Sequence, residues 1–116
     1  MKAFYTTVLL TSLFSTAAMA SSYTGPGAQS VTTVAAAHEA SDDTPVVLQG
    51  YVTKRINQDD RYEFKDNTGT ITVEIDNEDM PTGVVFNDKT KVRLIGEVER
   101  NLMKREVDVD RVEVIN

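Results

Sequence analysis

The clearest alternation of hydrophobic and polar residues in this chain lies between positions 61 and 76, in the segment RYEFKDNTGTITVEID. Period two is typical of strands with one buried face. In the polar stretch between the two runs, Asp66 and Asn67 can bond their own backbone and Gly69 can adopt positive φ, which favours a tight turn. The segment is therefore predicted to form a β-hairpin. Its apolar positions are Tyr62, Phe64, Ile71, Val73 and Ile75.

Two further segments, 46–55 (VVLQGYVTKR) and 91–98 (KVRLIGEV), alternate in the same way and carry a glycine inside the pattern. A glycine in mid-strand is costly unless it permits a sharp bend or a close approach of another backbone. We therefore predict two strands that bend where a small barrel turns a corner. The positions predicted to face inward are Val46, Leu48, Gly50 and Val52 in the first strand, and Val92, Leu94, Gly96 and Val98 in the second.

The last segment, 106–115, changes phase along its length. Val107 and Val109 alternate, but the next apolar residues are Val112 and Val114. The slip predicts a β-bulge or bend near residues 110–111.

The connections between these strands have their own signals. Pro81 and an acidic run end the third strand, and a short helical or irregular segment is expected through residues 84–86. Near the N-terminus, Thr32 or Thr33 is predicted to cap a short helix through residues 34–39.

The predicted fold class is all-β with one short N-terminal helix. The pattern gives five strands, or six if the bend divides the last one. Closing short, bent strands into a barrel removes exposed sheet edges. A five- to six-stranded OB-fold barrel is therefore favoured over an open sandwich, which would want about seven strands.

The first twenty residues follow the pattern of an export signal. Lys2 precedes an apolar region, and the sequence AMA at 18–20 matches a small-x-small cleavage site. The apolar run is shorter than the roughly 20 residues that a membrane span needs. We predict a signal peptide at 1–20 with cleavage after Ala20, a flexible leader at 21–30 that is rich in small residues, Gly and Pro, and a single OB-fold domain at 31–116.

Charge and cysteine content narrow the function classes. The chain has 12 basic and 18 acidic residues, and loss of Lys2 with the signal leaves 11 and 18, a net charge of −7. An acidic chain repels a phosphate backbone, so nucleic acid is not an expected partner. The absence of cysteine excludes a disulfide framework, a thiolate nucleophile and a Cys-ligated metal site. With the export signal, these features predict a periplasmic location.

Five motifs follow one another over most of the chain: Val46-x-Leu48-x-Gly50-x-Val52, Tyr62-x-Phe64-x-Asp66, Thr68-Gly69-x-Ile71-x-Val73-Glu74-Ile75-Asp76, Gly96-Glu97-Val98 and Val107-Asp108-Val109. In this order and spacing, from about residue 31 to 115, they resemble the bacterial OB-fold (BOF) family, of the YgiW/YdeI-type periplasmic stress-tolerance proteins. The resemblance implies an OB barrel with a short N-terminal helix and a non-enzymatic role in tolerating envelope or chemical stress. It also implies binding of small ligands, envelope components or partner proteins rather than nucleic acid.

The chain departs from the family pattern in two places. The sequence MPTG at 80–83 stands where such proteins carry Trp-x-Gly after the acidic run, and Glu99 stands where Asp often follows Gly-Glu-Val. If that Trp lines a ligand surface in the family, we expect a different ligand here.

No set of residues predicts catalysis. His38 is the only histidine, and its neighbour Glu39 diverges from it on a helix, which favours an exposed helix residue. No nucleophile or carboxylate pair is marked by its spacing, so the chain is predicted not to be an enzyme and to use no cofactor. Asp76, Glu78 and Asp79 are weak metal candidates, but they lack the ligand spacing of an EF-hand and fit a solvated connection better.

In an OB barrel, ligands bind the outside of strands two and three and the loops after strands one and four. That face is predicted to be mixed in charge and to carry Tyr51 as its only outward aromatic, which suits polar ligands better than bases. The expected partner is a small polar ligand or a cell-envelope component. The alternative is an adaptor that docks on an envelope protein, and a nucleic-acid-binding OB domain is a distant third. We expect no membrane insertion after signal cleavage. The candidate binding residues are Tyr51, Thr53, Lys54, Arg55, Asp59, Asp60, Arg61, Glu63, Lys65, Thr72 and Glu74.

Overall fold

A computed structural model describes residues 30–57 and 59–115. The predicted signal peptide and all of the predicted leader except Ser30 lie outside these ranges. The elements are α1 (Val34–Ala37), β1 (Pro45–Arg55), β2 (Arg61–Asp66), β3 (Gly69–Ile75), a 3-10 helix (Asn77–Asp79), β4 (Lys91–Arg100) and β5 (Arg105–Val114).

The five strands close into a barrel in the order β1-β2-β3-β5-β4. β1 pairs antiparallel with both β2 and β4, and β4 pairs antiparallel with β5. The ring is completed by a short parallel pairing in which Val73 and Ile75 of β3 lie opposite Val107 and Val109 of β5. The predicted barrel is confirmed, with five strands rather than six.

The two glycines inside strands lie where another backbone passes close by, as predicted. A Cβ on Gly50 would lie 2.2 Å from the carbonyl oxygen of Lys65, and a Cβ on Gly96 would lie 2.1 Å from that of Asp108. No side chain fits at these distances. Each strand can therefore fold sharply over its neighbour, which is what a small barrel requires at a corner.

The predicted inward faces form the core. The apolar residues assigned to the interior of β1 and β4 are buried, and Phe64 of β2 is completely buried. Tyr62 is half-buried and packs against the core. The Arg55 guanidinium lies over the Tyr62 ring, 5.6 Å from the ring centre. Tyr62 therefore closes one end of the barrel instead of filling its middle.

Two strands, β1 and β5, each contain a β-bulge. In β5, Ile95 lies opposite Arg111 and Gly96 opposite Val109, so Asp110 is the additional residue, at the place where the phase slip predicts it. In β1, Val52 lies opposite Phe64 and Lys54 opposite Glu63, which leaves Thr53 as the additional residue. The β1 bulge has no counterpart in the apolar pattern, because the apolar positions of that strand end at Val52.

The short helix α1 is held by the turn of the central hairpin. The Thr33 hydroxyl accepts a hydrogen bond from the Ala36 amide at 3.1 Å, so Thr33 is the N-cap. Asp66 and Thr68 also accept bonds, from the amides of Val34 (2.9 Å) and Ala35 (3.0 Å). The helix ends at Ala37, two residues short of the prediction. No helix within 30–57 or 59–115 is both long and apolar enough to span a membrane.

The glycine contacts give the first prediction. Gly50→Ala and Gly96→Ala are each expected to lower the free energy of unfolding by about 3 kcal/mol or more, because a methyl group there overlaps a backbone carbonyl. Gly83→Ala is the control: nothing lies within 4 Å of its Cβ position, and its φ of +78° costs about 1–2 kcal/mol. Urea denaturation of the three variants checks this order, and equal losses would contradict it.

Candidate functional site

Most of the predicted binding residues lie on the neighbouring strands β1, β2 and β3, where Lys65 pairs with Tyr51 and Glu63 pairs with Thr72. Seven of them line three open recesses, and Thr53 lines both the first and the second. The first recess, which we call the groove, contains Tyr51, Thr53 and Lys65 in its lining. The second recess is lined in part by Thr53, Lys54 and Arg55, and the third recess by Glu63 and Thr72. Arg61 and Glu74 face each other across β2 and β3, and Asp59 and Asp60 lie in the β1–β2 loop.

The groove is the largest of these three recesses, with a volume of about 1010 Å³. It lies over the outside of β1 and is bordered by the hairpin turn and by the start of β4. Strand register places Tyr51 of β1 directly opposite Lys65 of β2 on one side and Lys91 of β4 on the other. The three side chains therefore form one row across three strands, with the tyrosine 38% exposed between two exposed lysines.

Asp66 borders the groove, but its carboxylate is already engaged. Oδ2 accepts the hydrogen bond from the Val34 amide, and Oδ1 accepts bonds from the amide and hydroxyl of Thr68 (2.7 and 2.6 Å) and from the Gly69 amide. Partial burial acts to raise its pKa, but the bonds from Thr68, Val34 and Gly69 outweigh that effect and lower the pKa. The charge of Asp66 thus serves to join the hairpin turn to α1.

The other two recesses are smaller and are closed by different segments. The second, of about 300 Å³, is bordered by Met80 and Phe86, both half-buried against the core. Met80 belongs to the sequence MPTG at 80–83, where the family resemblance led us to expect Trp-x-Gly. The third recess, of about 390 Å³, lies over β2 and β3 and includes His38, whose Nε2 donates to the Thr70 carbonyl at 2.7 Å.

A buried acid, Glu106, joins the two loops at the other end of the barrel. Its side chain is 2% exposed and pairs with Arg61 (3.3 Å), at the end of the β1–β2 loop, and with Lys104 (3.3 Å), at the end of the β4–β5 loop. The negative charge of Glu106 raises the pKa of Arg61. Burial of a carboxylate is tolerated here because two cations compensate it. Period two gives no sign of this role, since it places Glu106 outside.

Acidic side chains form a second row on the far side of the barrel. Glu74 of β3 lies opposite Asp108 of β5, and Asp108 lies opposite Glu97 of β4. Partial burial is the first cause that raises the pKa of each, and neighbouring carboxylates raise it further. We call Glu74, Asp108 and Glu97 the acidic row.

The acidic residues do not form a metal site in the described part of the chain. Asp76 precedes the 3-10 helix and Glu78 and Asp79 lie within it. No group of three or more histidine, aspartate or glutamate side chains between residues 30 and 57 or 59 and 115 is arranged to hold a metal ion. The weak metal candidates therefore carry no metal assignment.

The sequence prediction missed Lys89 and Lys91, which complete the groove. Lys91 is outward by period two, but its place beside Tyr51 depends on the pairing of β1 with β4, which joins residues 40 positions apart along the chain. Lys89 comes from the loop before β4, whose course no local pattern fixes. Only the register between these distant strands could have revealed the row.

Comparison with known families and proteins is consistent with this architecture. Residues 11–114 match the family model described as bacterial OB fold (BOF) protein. The calcium-regulated OB-fold protein CarO of Pseudomonas aeruginosa is 61% identical over 104 residues, which are 89% of this chain and 88% of that protein. Protein YgiW of Escherichia coli K12 is 42% identical over 87 residues, 75% of this chain and 65% of that protein.

Solved structures show the same fold. The structure of YgiW from E. coli has a TM-score of 0.70 and 38% identity, and covers 80% of this chain and 97% of that chain. Telomere capping protein Ten1 from Saccharomyces pombe has a TM-score of 0.56 at 14% identity, with 74% and 81% coverage. At that identity the likeness concerns the fold alone.

The acidic row gives a prediction with a defined pH dependence. A carboxyl whose pKa is raised by folding stabilises the protein at low pH, and this stability is lost as the pH rises through the raised value. Asp108→Asn is therefore expected to increase the free energy of unfolding at pH 7 by roughly 0.2–1 kcal/mol, as for relief of like charges across strands.

Urea denaturation at pH 7 and at pH 3.5 measures this change. The gain should disappear below the ordinary pKa of 3.8, where the natural residue is protonated in both states. Glu39→Gln, at an exposed position after α1, removes the same charge outside the row. An equal gain from Glu39→Gln, or a loss of stability in Asp108→Asn at pH 7, would contradict the interpretation.

Proposed function

We propose that this chain, which belongs to the bacterial OB-fold (BOF) family, is a non-enzymatic binding protein of the periplasm that contributes to tolerance of envelope or chemical stress. It acts by holding a small polar ligand or a cell-envelope component against the outer wall of the barrel. The relatives support the coarser part of this statement, since CarO is named as an OB-fold protein and neither CarO nor YgiW is named as an enzyme.

The observation that carries the proposal is the groove. It gathers predicted binding residues Tyr51, Thr53 and Lys65 into one open recess of about 1010 Å³, within the range of small-molecule sites. A partly exposed aromatic ring beside charged and hydroxyl groups is suited to a ligand that has both a flat face and polar substituents.

A binding role also agrees with the chemistry of the described residues. His38 donates to a backbone carbonyl, and Thr53 donates its hydroxyl proton to the Glu63 carboxylate at 2.7 Å. The Thr53 hydroxyl therefore donates to a carboxylate. Among the described residues, no third side chain bonds to that carboxylate and orients it, as the third member of a catalytic triad would. Tyr51 is the only outward aromatic residue of the groove, a poor platform for successive bases.

The periplasmic location rests on the signal peptide predicted at 1–20, and the stress role on membership of the family. Both can be examined with the ligand in one preparation. The full-length chain is expressed in bacteria, and the protein is recovered from the periplasmic fraction. We expect its mass to correspond to a start at Ser21, and recovery of the uncleaved chain from the cytoplasm would contradict the location.

The recovered protein is then heated with a panel of neutral and charged cell-wall fragments. A true ligand at one hundred times its Kd should add about 2.7 kcal/mol of stability. Tyr51→Ala should weaken binding by about tenfold or more, as for loss of a central aromatic contact. Thr70→Ala, in the third recess, is the control. A panel without any stabilising member, or one whose binding survives Tyr51→Ala, would overturn the proposal.

One observation favours the alternative function, an adaptor that docks on an envelope protein. Leu102 and Met103, at the tip of the β4–β5 hairpin, are 97% and 92% exposed. Adjacent apolar side chains with this exposure are typical of contact surfaces. The double variant Leu102→Asn/Met103→Asn is expected to abolish stoichiometric capture of a periplasmic protein, whereas Val84→Asn/Val85→Asn, a second exposed apolar pair, should not. Capture that survives the first variant would exclude the hairpin tip.

A further inference from the structure

The groove carries more positive charge than its chain would suggest. Lys65, Lys89 and Lys91 all border it and all are exposed, although the mature chain has a net charge of −7. The ion pairs within the described ranges involve other cations, namely Arg61, Arg93, Lys104 and Arg111. In residues 30–57 and 59–115, these three lysines therefore have no carboxylate within salt-bridge distance.

Two carboxylates, Asp66 and Asp88, also line the groove and lower the formal charge of its lining from +3 to +1. Asp66 directs both of its oxygens to four donors in the hairpin turn and α1. Asp88 also borders the groove, from an exposed turn beside Lys89. The acidic row lies on strands β3, β5 and the distal part of β4, away from the groove.

Strand pairing fixes the spacing of the Cβ atoms of the three residues in the row. Residues directly opposite in neighbouring antiparallel strands have Cβ atoms about 4.5–5.5 Å apart. Lys65 and Lys91 are each opposite Tyr51, so they stand one strand away from it on either side. A ring laid on the tyrosine would place its substituents within reach of both ammonium groups, while the Gln49 and Asn67 amides border the same recess.

We propose that the groove recognises an anionic sugar-like ligand, whose ring lies against Tyr51 and whose negative group is held between Lys65 and Lys91. This inference rests on the proposed function and specifies the ligand class of the same site. An ammonium group acts as a point charge and can bind either a phosphate or a carboxylate. The shared chemistry is therefore a single anionic group on a polyhydroxylated ring.

The test uses ¹⁵N-labelled protein purified from cells that express the full-length sequence, titrated with three probes. Glucose 6-phosphate and glucuronate carry the two kinds of anion, and glucose is the neutral ring. We expect both anionic probes to shift the backbone amide resonances of Gln49, Tyr51, Lys65 and Lys91, with glucose at least fivefold weaker. Raising the NaCl concentration should weaken the anionic probes only.

Two variants locate the charge effect. Lys65→Gln/Lys91→Gln is expected to weaken the anionic probes at least fivefold and to leave glucose unchanged. Arg100→Gln, which removes an exposed cation of β4 outside the groove, should change affinity less than twofold. If only one of the anionic probes binds, the inference holds with the ligand class narrowed to phosphate or carboxylate.

Three results would overturn the inference: glucose binding as tightly as the anionic probes, no shifts in the groove with either anion, or anion binding that survives the double variant. Binding of glucose in the groove would refute the anionic ligand and leave the proposed function standing. The proposed function itself is refuted only if the wider panel of envelope fragments also fails to bind. The two failures are therefore distinguishable.

Discussion

The barrel depends on two places where a strand backbone lies against the backbone of its neighbour. At Gly50 the neighbour is the Lys65 carbonyl, and at Gly96 it is the Asp108 carbonyl. Five short strands can enclose the buried core, which is mainly valine, leucine and isoleucine around Phe64, only if they bend sharply, and a side chain at either position would separate the strands. The absence of a Cβ at two positions is thus the condition for closure.

The same two contacts determine what the outer wall displays. Gly50 is followed by Tyr51, and the carbonyl it meets belongs to Lys65, so this corner carries the lysine–tyrosine row of the groove. Gly96 is followed by Glu97, and the carbonyl it meets belongs to Asp108, so that corner carries part of the acidic row. One corner therefore presents an aromatic ring between cations, and the other presents partly buried carboxylates whose pKa values are raised.

Most of the fold could be predicted from the sequence because it depends on local patterns. Period two identified the five strands, the interior glycines identified the corners, and the phase slip identified the bulge at Asp110. The bulge at Thr53 and the burial of Glu106 were not predicted. Both depend on residues far away in the chain: the pairing with Glu63 for the bulge, and compensation by Arg61 for the acid.

The candidate site was predicted less completely for the same reason. Tyr51 and Lys65 were expected on the outside and lie together there, but Lys91 joins them only through the register of β1 with β4. Other predicted residues line two further recesses, one beside β1 and one over β2 and β3. Alternation tells which side of a strand a residue faces, and it does not tell which residues of other strands stand beside it.

The nuclear Overhauser spectrum of the isotopically labelled chain tests the two backbone contacts most directly. If the corners close as described, Gly96 Hα should show a strong cross-peak to Val109 Hα, and Gly50 Hα should show one to the ring of Phe64. If both cross-peaks are missing while the strands themselves are intact, the corners are open and the rows on the outer wall are not placed as described.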